Sequence, residues 1–258
     1  MRNRLDSSSE QTGSLDKLQD SKYATQVSDE SYLEQQVCLF GPESYEARYE
    51  YPLIVWLHSC RSSEQELENV MMELSLQNYV ACAPRGTVAC DDEGLFYRWG
   101  QSAASAAIAE EIVFESMAVA SEHFTINQRR VFLAGFGGGA TMAWRIALRY
   151  PQRFAGVVSF CGDFPRRNQP LTNLAQARKL PTLWIYGEDS KTCGVQRVCE
   201  SMSMLHSAAL SVDIRQYPCG DELLSNMLVD TNAWLMEQVT SQPSVPDHAP
   251  TQPSFSEN

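Results

Sequence analysis

A glycine-rich turn in the middle of the chain is the first candidate for binding chemistry. Residues 131–134 (VFLA) are apolar, residues 135–139 read GFGGG, and an apolar helical pattern covers 138–150. A turn that opens a helix presents free backbone N–H groups, which bind carboxylates and phosphates. Gly137, Gly138 and Gly139 therefore form a candidate anion-binding turn. The alternative is that these glycines serve only the backbone of the turn.

The same turn matches a dinucleotide-binding fingerprint. Gly135, Gly137 and Ala140 fit the pattern G-x-G-x-x-G/A between a strand and a helix. Asp163 follows the next apolar run, where a ribose contact would be expected. In dinucleotide-binding folds this motif opens the sheet, whereas several strand-like runs precede it here. We therefore expect no nucleotide cofactor, and the sequence indicates no other cofactor.

Three other loops carry polar side chains that could act as acid, base or nucleophile. Each loop follows an apolar run, and the residues are His58, Ser59, Cys60, Asp189 and Asp221. In a parallel sheet the loops after the strands meet at one edge, where ligands bind. We expect these residues to lie near the glycine turn.

The elements that must position these loops alternate between strand and helix. Strand-like runs cover 36–40, 45–50, 53–58, 79–83, 131–134, 154–160, 182–186 and 212–217, the first two as a hairpin. Helical patterns cover 63–77, 102–124, 138–150, 195–209 and 223–239. Such alternation predicts an α/β fold, a mostly parallel sheet of about eight strands with helices on both faces.

Composition divides the chain into one domain and two tails. Residues 1–31 are rich in Ser, Gln, Asp and Lys without a sustained period, which predicts a flexible arm. Residues 240–258 are rich in Pro and Ser and predict a disordered tail. The domain is expected over 32–239.

The charge of the chain excludes several partners. The net charge is −12 and the sequence pI is about 4.8, so nucleic acid and anionic membrane surfaces would repel the protein. No apolar run approaches the roughly 20 residues that a membrane span requires. The basic residues near the start have no apolar stretch behind them, so we expect no secretory signal and a cytoplasmic location.

The cysteines and histidines do not form a metal-binding pattern. There are eight cysteines without a C-x-x-C pair, and four histidines, none of them close to two cysteines. This spacing argues against a structural zinc site, and we predict no metal. The cysteines are expected to be reduced thiols that pack as small apolar groups.

The glycine turn and its flanks resemble the α/β-hydrolase superfamily, especially its phospholipase/carboxylesterase and dienelactone-hydrolase-like branch. The elbow of that superfamily reads G-x-S-x-G, and its serine is the nucleophile. Residues 135–139 match it except that Gly137 stands at the serine position, and residues 150–158 (YPQRFAGVV) continue the likeness. The resemblance covers residues 50–240, approximately, and implies an α/β-hydrolase fold derived from an esterase.

The resemblance also implies that the catalytic triad is degenerate. Asp221 stands where the family has its base histidine, whereas Asp189 matches the acid. The loop at His58, Ser59 and Cys60 lacks the glycines of the family's oxyanion loop, although the amide of Gly138 remains. No catalytic residue set is intact, which indicates a pseudoenzyme.

Several functions remain open at this stage. The favoured one is a catalytically inactive homologue that binds a small ligand or a protein partner. A second is a weak or unconventional esterase or peptidase-like hydrolase, in which Asp221 would serve as general base. A third is a scaffolding protein.

Cys60, Ser159 and Cys161 lie near the site, but a neighbouring carboxylate raises a thiol pKa and opposes activation. Tyr97 and Trp99 could line an apolar pocket or pack a long loop.

Overall fold

The computed structural model describes residues 36–166 and 171–241. The predicted arm and most of the predicted tail lie outside the described residues. The strands are β1 (Val37–Phe40), β2 (Tyr51–Leu57), β3 (Val80–Pro84), β4 (Val88–Ala89), β5 (Tyr97–Arg98), β6 (Ile126–Phe136), β7 (Gly156–Phe160), β8 (Thr182–Gly187) and β9 (Val212–Tyr217). The α-helices are α1 (Glu66–Leu74), α2 (Ala103–His123), α3 (Gly138–Arg149), α4 (Leu174–Ala177), α5 (Val195–Ser207) and α6 (Ser225–Ser241), and Pro151–Arg153 form a 3₁₀ turn.

The main sheet confirms the predicted α/β class. Its order is β1-β3-β2-β6-β7-β8-β9, and every neighbouring pair is parallel except β1 with β3. The described residues therefore place seven strands in this sheet, where the sequence predicted about eight. The separate ribbon of β4 and β5 and the short helix α4 were not predicted.

The missing strand is the predicted one over 45–50, so the predicted opening hairpin is wrong. β1 instead pairs antiparallel with β3, with Val37 opposite Pro84. The intervening segment is held by aromatic contacts: the ring centroid of Tyr45 lies 5.4 Å from that of Tyr51, and that of Tyr49 lies 4.6 Å from Tyr51. These side chains serve ring packing rather than a strand ladder.

The last helix continues into the first two residues of the predicted tail. Thr240 and Ser241 continue α6, and their hydroxyls donate to the carbonyl oxygens of Met236 at 2.8 Å and Glu237 at 2.6 Å. Bonds of this kind let a hydroxyl residue remain within a helix. The helix therefore extends two residues beyond the predicted end of the domain.

The two faces of the sheet bury separate cores. Along β2, Leu53, Val55 and Leu57 pack with α2 and α3 on one face, and Ile54 and Trp56 pack with α1 and α6 on the other. Since alternate residues of a strand point to opposite faces, a strand covered on both faces is apolar throughout. This explains why all seven residues of β2 are buried.

Two glycines allow α3 to approach the end of β2 closely. A Cβ added at Gly139 would overlap the carbonyl oxygen of Leu57 and lie 2.5 Å from that of His58. A Cβ added at Gly135 would lie 2.7 Å from the Leu57 carbonyl oxygen. These obstacles are backbone atoms, which cannot rotate away as side chains can. The spacing of the glycines therefore reflects helix–strand packing.

Replacement of Gly139 by alanine should destabilise the protein strongly. The added methyl group meets backbone atoms, so we expect the free energy of unfolding to fall by about 3 kcal/mol. Gly138→Ala is the matched control, because no atom lies within 4 Å of a Cβ added there. Urea unfolding of both variants measures the difference, and an equal effect of the two substitutions would contradict the packing argument.

Candidate active site

The glycine turn has the backbone of a nucleophile elbow. β6 ends at Phe136, α3 begins at Gly138, and Gly137 between them has φ 55° and ψ −115°. This conformation strains residues that carry a Cβ and costs glycine little. The N–H of Gly137 donates to the carbonyl oxygen of Phe160 at 2.8 Å. A Cβ added at Gly137 would have no atom within 4 Å, so the position where a nucleophile would project is open.

His58 is buried and both of its ring nitrogens are engaged. Its Nδ1 lies 2.7 Å from the carbonyl oxygen of Ser59, and its Nε2 accepts a hydrogen bond from the backbone N–H of Gly86 at 2.9 Å. Because Nε2 accepts, we assign the proton of the neutral ring to Nδ1. The His58 carbonyl oxygen in turn accepts from the indole of Trp99 at 3.1 Å. The imidazole therefore joins the loops after β2 and β3.

Glu66 holds the remainder of the loop after β2. Its carboxylate accepts from the hydroxyl of Ser59 at 2.6 Å, the backbone N–H of Ser59 at 3.1 Å and the indole of Trp56 at 2.9 Å. Ser59 is thus tied to α1, whereas Cys60 is exposed. Sequence reasoning missed Glu66. Its only signal was the position of an acidic residue in the first turn of a predicted helix.

An ion pair supports the same loops from the outer side. Arg85 forms a salt bridge with the buried carboxylate of Glu64, and its guanidinium carbon lies 4.9 Å above the ring of Tyr97. The guanidinium neutralises a carboxylate that burial would otherwise make costly. Tyr97 and Trp99, which the sequence left open as pocket or packing residues, both contact this loop network.

Burial lowers the pKa of His58 below its usual 6.5. Removal from solvent is the largest cause, and the hydrogen bond to Ser59 and the charges of Glu66 and Glu64 oppose it. Arg85 lowers the pKa further. The ring is therefore neutral at neutral pH, in agreement with its hydrogen bonds.

The lowered pKa makes stability depend on pH. As the pH falls through 6.5, an unfolded chain protonates this histidine while the folded chain resists protonation. The unfolded state then binds more protons, so His58 reduces the free energy of unfolding by up to about 1.4 kcal/mol per pH unit below that point.

Urea unfolding at pH 7.5 and pH 5.5 measures this dependence. His58→Gln should lower stability at both values but show a smaller loss on acidification than the native chain. His123→Gln is the control, since His123 is exposed at the end of α2. If the native chain and His58→Gln lose the same free energy between the two pH values, the assignment is wrong.

Asp221 binds the loop that follows the acid position. Its carboxylate accepts from the hydroxyl of Ser190 and from the backbone N–H groups of Lys191 at 3.1 Å and Thr192 at 3.3 Å. The backbone N–H of Asp189 donates to the carbonyl oxygen of Cys219 at 2.9 Å. The structure therefore brings the loops of Asp189 and Asp221 together, and the Asp221 carboxylate is used to hold them.

The Cys161 thiol is unsuited to nucleophilic attack. Cys161 follows β7 with φ 51°, is fully buried, and its Sγ lies 4.0 Å from the carbonyl oxygen of Gly220. Its pKa is raised to about 11, mainly by burial and in smaller part by the charge of Asp221. At neutral pH the side chain is a thiol rather than a thiolate. Ser159 on β7 is also buried, with no histidine among its described hydrogen-bond partners.

Residues 36–166 and 171–241 contain no metal-binding cluster, and their remaining histidines lie on helices. This part of the chain has no group of three or more His, Cys, Asp or Glu side chains placed to hold a metal ion. Its other histidines are His123 on α2 and His206 on α5, while His248 lies outside it. None of the helices described is long and apolar enough to cross a membrane.

Comparison with known families agrees with this geometry. The sequence profile described as Phospholipase/Carboxylesterase matches residues 101–237, more than half of the chain. The chain belongs to this family. The matched range includes the turn at Gly137 and the loops of Asp189 and Asp221.

One curated relative matches part of the chain. An Arabidopsis thaliana protein named "Probable carboxylesterase SOBER1-like" is 29% identical over 122 residues, which are 46% of this chain and 46% of the relative. The match thus spans about half the length of that relative.

Solved structures show the same fold. SOBER1 of Arabidopsis thaliana superposes with a TM-score of 0.60 at 19% identity, covering 73% of this chain and 99% of that one. The Bacillus cereus carboxylesterase gives 0.64 at 15% identity, covering 82% and 100%. Acyl-protein thioesterase 2 of Zea mays gives 0.58 at 16% identity, covering 79% and 99%. At these identities the likeness concerns the fold.

Proposed function

We propose that this member of the phospholipase/carboxylesterase family is catalytically inactive and binds a ligand or partner at the former active-site face. The observation that carries the proposal is Gly137. It has the elbow conformation, with φ 55°, but offers no atom that could attack an ester carbonyl. Without a hydroxyl or thiol at this point no acyl-enzyme can form.

The state of the base position supports the proposal. A serine hydrolase needs a group that takes a proton from the nucleophile and later returns it to the leaving group. The side chain at position 221 is a carboxylate rather than an imidazole. Its oxygens already accept hydrogen bonds from residues 190–192. A weak enzyme with Asp221 as general base would have to break these bonds to approach a water molecule.

The loop of His58 and Ser59, which corresponds to the oxyanion loop, also supports the proposed inactivity. His58 and Ser59 are held by Gly86 and Glu66, so their polar groups are already paired. In a working site, preorganised donors remain free for the developing oxyanion. The backbone of the elbow is retained and the space above it is open. This arrangement favours ligand binding over catalytic turnover.

Hydrolysis of p-nitrophenyl acetate and butyrate tests the loss of activity. We expect the native chain to match buffer and a mock purification. The Gly137→Ser/Asp221→His variant restores a nucleophile and a base, and the open space at Gly137 accommodates the hydroxymethyl group. We expect it to exceed the native rate by at least about tenfold.

Gly137→Ala/Asp221→His is the matched control, because it has the same backbone strain and the same histidine but no hydroxyl. Activity in the serine variant and not in the alanine variant would assign the gain to the nucleophile. Saturable turnover by the native chain, above the mock purification, would refute the proposed inactivity.

A further inference from the structure

A cavity of about 650 Å³ lies beside the elbow, between α3, the segment that follows β7, and α5. Its lining is mostly polar, with an apolar wall at Phe164 and Pro165. The volume lies within the usual range for small-molecule sites. Two contacts connect the cavity to the elbow: Thr141 Oγ1 donates to the carbonyl oxygen of Gly137 at 3.4 Å, and Gln101 Nε2 to that of Gly138 at 3.3 Å.

The cavity is positively charged although the chain carries a net charge of −12. Three of its lining residues are arginines and two are acidic. Arg197 pairs with Asp163, and Arg166 pairs with Glu200 at 3.1 Å. Arg145 has no carboxylate partner among the described residues. The lining side chains therefore leave one net positive charge, located at Arg145.

Arg145 has unused hydrogen-bonding capacity. Its Nε is buried and has no hydrogen-bond partner among the described residues, while one terminal nitrogen donates to the carbonyl oxygen of Gln101 at 3.0 Å. Burial lowers the pKa of this guanidinium, and the nearby charge of Glu110 opposes that effect. A buried donor without a partner is costly. Because Nε has no contact with solvent, a ligand in the cavity would bind the terminal Nη nitrogens of Arg145.

The charge and shape of the cavity indicate the class of ligand. A single uncompensated guanidinium matches one negative charge, and its planar fork suits the two oxygens of a carboxylate. Phe164 and Pro165 provide contact for an apolar group attached to that carboxylate. A phosphate dianion would leave one negative charge unbalanced.

We propose that this cavity binds a small organic carboxylate, with the carboxylate on Arg145 and the apolar part against Phe164 and Pro165. The inference rests on the proposed function, to which it adds the chemistry of the ligand. Asp163, which the dinucleotide fingerprint would have placed against a ribose, is engaged here by Arg197.

Calorimetric titration of the full chain with benzoate tests the proposal, with neutral benzamide as its isostere. We expect benzoate to bind at least about tenfold more tightly than benzamide. Arg145→Gln should lose this preference, and Arg145→Lys, which keeps the charge without the fork, should retain part of it. Arg129→Gln is the charge-matched control, since exposed Arg129 lies near the other end of β6 from the elbow.

Several results would overturn the proposal. The first is equal affinity of the native chain for benzoate and benzamide. The second is unchanged benzoate affinity in Arg145→Gln, and the third is an equal loss of benzoate affinity in Arg145→Gln and Arg129→Gln. Binding of inorganic phosphate with no binding of benzoate would also overturn it. Thermal melting checks that each variant folds. If Arg145→Gln does not fold, an unchanged benzoate preference in Arg145→Lys refutes the forked contact.

The two proposals can fail separately. Ester turnover by the native chain would refute the proposed inactivity and leave the benzoate titration unaffected. Absence of benzoate binding in a chain without turnover would refute the ligand class alone. The benzoate titration and the esterase assay therefore distinguish the two failures on the same native preparation.

Discussion

The close approach of helix α3 to the end of strand β2 sets the position of the glycine turn relative to the loop after β2. It is possible because Gly135 and Gly139 have no Cβ where the backbone carbonyls of Leu57 and His58 pass. Since α3 is held there, its first amides lie beside the loop after β2, and Gly137 must adopt a positive φ to join strand and helix. The turn geometry is therefore a consequence of packing.

This dependence means that the packing of the turn requires no side chain at Gly137. A side chain at Gly137 contributes nothing to the packing, because a Cβ there would have no neighbour within 4 Å, and its backbone conformation favours glycine. A glycine at this position avoids the strain that a side chain would cause, while the helix–strand contact remains. The packing of the turn thus depends on Gly135 and Gly139 and not on a side chain at position 137.

Several polar side chains around the elbow form hydrogen bonds that hold the loops together. The imidazole of His58 joins two loops, the carboxylate of Glu66 holds Ser59, and that of Asp221 holds residues 190–192. Groups that are already paired stabilise the loops but are not free for a substrate. Arg145, beside the site, differs from these residues because its buried Nε has no hydrogen-bond partner among the described residues.

Local patterns in the sequence determined the alternating elements, the parallel sheet and the glycine elbow, because each depends on neighbours along the chain. The short ribbon of β4 and β5, the absence of a strand over 45–50 and the roles of Glu66 and Arg145 were decided only by the tertiary structure. Two-residue strands show no periodicity, and Gln101, the partner of Arg145, lies 44 residues away in the sequence. Whether a polar side chain is paired or free depends on such distant contacts, so only the folded chain decides it.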